Sequence, residues 1–278
     1  MRYVHAIKGV GFALIPIALV IKYVPAPTEI SGVETTLTVS TFIFAILAGF
    51  YLSRSNNRYD AMRGVTVTED AIWLSFYHSS KFYGKAFTNK MRKIIDKYYM
   101  VSVELELGQN YMATAPFLTE AFDALVALKF KNDGKKENVI DDMVIMLLEI
   151  EKNRNSASIM SKEKMGTGQW AIMVIITMVI FVALFYFKSA EIFSLVTTTL
   201  FAGSLILVLL VMRDLQNFRL GGRRVLYESA QEIFETMGLP RYYTQEMLKF
   251  DSIPEHVEQY RFGTVDKKGE RKLTLVKK

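Results

Sequence analysis

The sequence predicts an all-α integral membrane protein: two transmembrane helices at the N-terminal end, two toward the C-terminal end, and a cytoplasmic helical bundle inserted between the pairs. Three observations carry that prediction. Residues 9–24, 37–52, 170–187 and 192–212 are apolar stretches, and a bilayer core calls for roughly 17–25 mostly apolar helical residues. The polar region between the second and third stretches repeats its apolar residues at helical spacing. Lysine and arginine gather on one side of the four stretches. The composition agrees, being 51% hydrophobic yet 22% charged, with a mean hydropathy of +0.18. The implied divisions are 1–53, an N-terminal helix pair; 54–168, a cytoplasmic helical region; 169–213, a helical hairpin; and 214–278, a cytoplasmic amphipathic helix and basic tail.

The first stretch is the shortest, since its uninterrupted core ends at Lys22. Lys8 and Lys22 bracket it and can snorkel to the two interfaces. Pro16 removes one of its helical hydrogen bonds and predicts a kink. A secretory signal peptide is the competing reading. No small-x-small cleavage site follows, however, in Tyr23-Val24-Pro25-Ala26-Pro27, so the segment is expected to be retained. The second stretch gains length from Thr35 and Thr36. It runs into Ser53-Arg54-Ser55-Asn56-Asn57-Arg58 without proline or glycine, which predicts a helix continuing out of the membrane.

Four apolar stripes follow in the wet region: Val65, Ile72, Trp73 and Phe76; Met91, Ile94, Ile95, Tyr98 and Leu105; Leu118, Ala121, Phe122, Leu125 and Leu128; Val139, Met143, Val144, Leu147 and Ile150. Gly84, the 108–116 stretch and Asn132-Asp133-Gly134 are expected to separate them, and the last helix to run on toward Trp170. Only residues 188–191 part the third and fourth spans, so these form a tight antiparallel hairpin. After Gly221-Gly222 comes an amphipathic helix with Leu226, Ala230, Ile233, Phe234 and Met237 on one face, stopped by Gly238 and Pro240. The final basic residues read as a solvated tail or as weak attraction to anionic headgroups, and no strand alternation of useful length is evident.

Orientation follows from charge. Arg2, Lys8, Arg54, Arg58, Arg63, Arg154, Lys162, Lys164, Arg213, Arg219, Arg223 and Arg224 flank one side, against Lys22 and Lys188 in the two short loops. Both termini and the central region are therefore expected in the cytoplasm, with the chain multi-pass in the cell inner (plasma) membrane. The net charge of +6 is explained by this asymmetry rather than by nucleic acid.

The residues argue against an enzyme, and no cofactor is expected. There is no cysteine, which excludes disulfides and thiolate chemistry. His5, His78 and His256 are in no metal-ligand spacing. No P-loop is present, and Gly9-Val10-Gly11 lacks the third glycine of a dinucleotide fingerprint. Glu104 and Glu106 read as a solvated face. No Asp, Glu, Arg or His falls in the body of a span, which lowers the expectation of an ion-coupled pump. What the spans do carry is small and hydroxyl-bearing faces: Thr38, Thr41, Ala45, Ala48 and Leu52, continuing to Gly49, in the second; Ser194, Thr198 and Ala202 in the fourth. Such faces serve close helix packing, or line a passage in which hydroxyl dipoles replace part of an ion's hydration. Arg54, Asn57, Arg58 and Arg63 lie where the second helix leaves the membrane and would form the cytoplasmic mouth of such a passage.

The run Arg54, Asn56, Asn57, Tyr59, Asp60 and Arg63 resembles the segment after the second membrane helix of bestrophin anion channels and their bacterial relatives. Arg63…Glu69-Asp70-Ala71 with Met91-Arg92-Lys93-Ile94-Ile95-Asp96-Lys97-Tyr98 resembles a bestrophin-like prokaryotic membrane family of unknown function. The resemblance implies a homo-oligomer, a pentamer by analogy, with the second helix at the axis and an inorganic anion passing through. Where bestrophins narrow the pore with bulky apolar residues, the face near Ala45, Gly49 and Ser53 is small, and their acidic calcium clasp is not recognisable. Two alternatives stay open. One is a membrane scaffold binding a cytosolic partner. The other is a stator-like subunit, which would need an acid-bearing partner.

Overall fold

The computed structural model describes residue 4 and residues 6–25, 31–105, 107–128, 134–219, 226–249, 253–265 and 271–278. Expectations resting on Arg2, His5, Glu106, Asn132-Asp133, Gly221-Gly222, Arg223, Arg224, Lys267, Lys268 and the side chain of Leu226 lie outside these residues. The elements are helices α1 (Ala6–Tyr23), α2 (Val33–Ser80), α3 (Lys85–Glu104), α4 (Leu107–Val126), α5 (Gly134–Lys162), α6 (Thr167–Phe187), α7 (Ile192–Gln216) and α8 (Leu226–Thr236), then strands β1 (Arg241–Thr244), β2 (Gln259–Val265) and β3 (Arg271–Lys277). The chain divides into two units, residues 1–59 with 164–222 and residues 60–163 with 223–278.

The first unit holds α1, the start of α2, α6 and α7. Four helices, α1, α2, α6 and α7, are long and apolar enough to cross a membrane. Their large side chains, among them Phe12, Ile15, Phe42, Ile175 and Leu200, are exposed, as expected of surfaces covered by lipid or by other subunits. The interior is a seam of Phe44, Ala48 and Tyr51 from α2, Met173 and Ile180 from α6, and Ala202, Leu205 and Met212 from α7. Trp170 Nε1 donates to Gln216 Oε1 at 2.9 Å, tying the start of α6 to the end of α7.

α1, the shortest span, is clasped at both ends. Buried Asp214 accepts the Ala6 N–H at 2.9 Å, satisfying one open donor of the helix start. Buried Lys188 donates to the carbonyls of Ile21 and Val24 at the other end. Midway, α1 and α7 approach closely through glycine. A Cβ on Gly203 would lie 2.5 Å from Leu14 Cδ2, and one on Gly9 would lie 2.9 Å from Leu210 Cδ1.

The second unit holds the rest of α2, α3, α4, α5, α8 and the sheet. Its core joins Trp73 and Phe76 of α2, Met91 and Ile94 of α3, Ala121 of α4, Leu147 of α5, Phe234 of α8 and Tyr242 of β1. The predicted stripes are thus largely the buried faces, although Val65, Ile72, Leu105, Phe122, Leu128, Val139 and Val144 are only half-buried. α2 continues through Asn56-Asn57 without interruption, as expected.

Four expectations are corrected. The chain is mostly helical but also carries a sheet, ordered β1-β2-β3, with β1 parallel and β3 antiparallel to β2. The end of the basic tail is therefore a strand rather than a solvated coil. Arg271 pairs with Glu104 at 2.6 Å, and Arg261 chelates Asp96 at 2.7 and 2.9 Å. The 108–116 stretch is part of α4, which runs through Pro116 because Thr114, Leu118 and Ala121 are buried by neighbouring helices. α5 stops at Lys162 instead of reaching Trp170, and Gln169 Oε1 accepts the Gly166 N–H at 2.9 Å to start α6 afresh.

Candidate functional site

The face of α2 expected to line a passage resolves into two directions. Thr38, Ala45 and Gly49 are exposed; Thr41 is half-buried; Ala48 is buried in the apolar seam beside Phe44 and Tyr51. The Thr41 hydroxyl donates to the carbonyls of Leu37 at 2.6 Å and Thr38 at 3.0 Å, so its proton is spent on the helix itself. At about 100° per residue, the exposed stripe is Thr38, Phe42, Ala45, Gly49 and Ser53. Phe42 makes it less uniformly small than the spacing of alanine and threonine suggested.

The mouth residues also separate. Arg54, Asn57 and Arg63 are exposed. Arg58 turns to the end of α7. Its Nη2 donates to the Gln216 carbonyl at 3.1 Å, and the guanidinium lies 4.2 Å from the centroid of the Phe218 ring. A cation there satisfies a terminal carbonyl and complements the helix dipole. The three arginines therefore differ in their commitments: Arg58 is bound to the end of α7, while Arg54 and Arg63 are exposed.

A second site lies within the second unit, where spacing gave no warning. Glu69 and Asp70 are neighbours on α2. Tyr98 and Tyr99, neighbours on α3, donate their hydroxyls to them: Tyr98 to Glu69 Oε1, and Tyr99 to Asp70 Oδ1 at 2.6 Å. From α5 comes Arg154, whose Nη2 donates to the Tyr111 carbonyl and to Thr114 Oγ1 at 3.0 Å, with its guanidinium 4.9 Å from the Tyr111 ring centroid. These groups, with Thr66, Ser102 and Ser158, enclose a cavity of about 40 Å3. Asp70 is 8% and Arg154 5% exposed. Asp70 Oδ2 and Arg154 Nε are buried without a hydrogen-bond partner among the described residues.

Burial raises the Glu69 carboxyl to about 8, the Tyr98 hydrogen bond opposing the rise. Asp70 is raised to about 6, again first by burial, with the Tyr99 bond opposing it and Glu232 adding to it. Burial also pushes both tyrosines well above their ordinary range. In the sequence, Tyr98 stands in an apolar stripe and in the family-like motif, and Arg154 stands among the orientation charges.

Four helices of membrane-crossing length and composition, two on either side of a helical region, define a membrane protein. The family model for the Bestrophin-like domain matches residues 17–218. The chain belongs to the bestrophin-like family. No curated protein and no solved structure matches it.

Proposed function

We propose that this protein is a homo-oligomeric, passive anion channel of the inner membrane. Its α2 helices surround the passage, and both termini and the helical region between the spans face the cytoplasm. Family membership supports the class, since bestrophins are often anion channels. The observation that carries the reading is the α2 stripe Thr38, Ala45, Gly49 and Ser53. It is small, hydroxyl-bearing and left exposed by the seam that buries Phe44 and Ala48. Repeated around an axis, it would surround a narrow wet path with Phe42 as its bulky member, and Arg63 follows further along α2. A ring of arginines concentrates anions by focusing the field. The assembly is a pentamer by analogy with the family.

Liposomes containing the purified protein should release chloride, and Arg63→Glu should cut that release or shift selectivity toward cations. Phe42→Ala should raise it. Arg58 caps α7 and is unsuited to this test. A mass measurement in nanodiscs that returned a stable monomer would sink the ring. An intact oligomer that passed no anion would put the scaffold reading in front.

A further inference from the structure

The Glu69–Asp70–Arg154 cavity is independent of the anion pathway proposed above, and its charges do not balance. With both carboxyls ionised, two negative charges face one guanidinium, leaving one negative charge uncompensated in a site where Asp70 and Arg154 are buried and Glu69 is half-buried. Buried charge is tolerated only when paired and hydrogen-bonded. Among the described residues, the groups facing it, including the Ser229 hydroxyl of α8, supply hydrogen bonds but no further positive charge. Tyr98 and Tyr99 of α3 donate hydroxyls already committed to the two acids. Arg154 of α5 spends Nη2 on α4. Glu232 of α8 adds negative potential at Asp70. The missing charge must be positive and small, because a cavity of about 40 Å3 has room for only about three waters at 10–15 Å3 each. A metal ion fits poorly, since the described residues hold no group of three His, Cys, Asp or Glu side chains, and a guanidinium faces the same space. A proton fits. It comes from solvent and converts one acid into a donor.

We propose that this cavity is a proton-binding site, in which one proton, carried by Glu69, balances the buried charge and holds α2, α3, α4 and α5 in register. Burial raises Glu69 from 4.5 to about 8 and Asp70 from 3.8 to about 6. The folded chain thus keeps a proton that the unfolded chain releases. Stability from this site is fully present below the ordinary carboxyl values. It is lost as pH rises through about 6 for Asp70 and about 8 for Glu69.

The test uses the full chain in nanodiscs, followed by thermal unfolding and by the infrared carbonyl band of a protonated carboxyl. The unfolding midpoint should fall as pH is raised from about 5 to about 8.5, and Glu69→Gln should remove most of that fall. The carboxyl band should be present near neutrality, vanish above about pH 8 and be missing from Glu69→Gln. Should that variant fail to fold, Tyr98→Phe decides. Losing a hydrogen bond to the ionised acid should move the band's disappearance to higher pH. Replacing sodium or potassium by choline at constant ionic strength should leave the midpoint unmoved. A shift with either metal, or a wild-type band already gone below pH 6, would overturn the proposal.

Discussion

Tyr242 has its backbone N–H and C=O completed by a side chain. Gln231 of α8 accepts from the N–H at 2.9 Å and donates to the C=O at 2.6 Å, closing the edge of β1. Unpaired strand edges template aggregation, and here both groups are buried. Gln231→Leu keeps the bulk but orphans both. At about 1–3 kcal/mol for each buried group left unmade, the second unit should lose about 2–6 kcal/mol, read as a lower denaturant midpoint. Neither this pairing nor the Glu69–Tyr98 contact was legible in the sequence. Each joins residues eleven or more apart, and a lone polar residue on an apolar stripe does not announce its partner. Glu69, Asp70 and Tyr98 did stand in the family-like motif, but only as markers of kinship.

Helices were the most legible elements, because their apolar faces repeat at the period of the backbone. The spans, the hairpin, the uninterrupted α2 and the stop of α8 at Gly238, which takes φ +71°, all follow from local composition. The failures have local causes too. β3 carries Leu273 and Leu275, both exposed, among basic residues that read as tail. Pro116 and Gly108 looked like breakers, yet packing outweighed propensity in α4. At this scale the glycine contact between α1 and α7 is testable. Gly203→Leu would drive a side chain into Leu14. Overpacking costs about 1–3 kcal/mol, so the thermal midpoint should drop. Gly49→Leu, on the exposed stripe with nothing within 4 Å of its Cβ, should leave the monomer's fold intact.

For the molecule as a whole, residues 223–278 cluster with 60–163 rather than standing apart as a separate tail region. No charge count or hydropathy run could foretell that, since it rests on ion pairs such as Arg261 with Asp96, 165 residues apart. Membrane sidedness, in contrast, was read from arginine and lysine alone. The cysteine-free chain makes it simple to check with single cysteines at Ser31, Lys90 and Ser189, all exposed. An impermeant thiol reagent added to intact cells should label the first and last and spare Lys90→Cys. Labelling restricted to Lys90→Cys would invert the topology.

The clasp on α1 has a consequence for how the chain is made. α1 leaves the ribosome first, yet the carboxylate that caps it lies 208 residues later, on the last of the four spans. At about 5–20 residues per second, roughly 10–40 seconds pass before Asp214 exists. For that time α1 must wait in the bilayer with an unfinished start, an open glycine face and no lysine over its far end. Assembly of the first unit is therefore gated by completion of α7. Each new chain enters the membrane as an incomplete set of helices and closes only as synthesis passes α7.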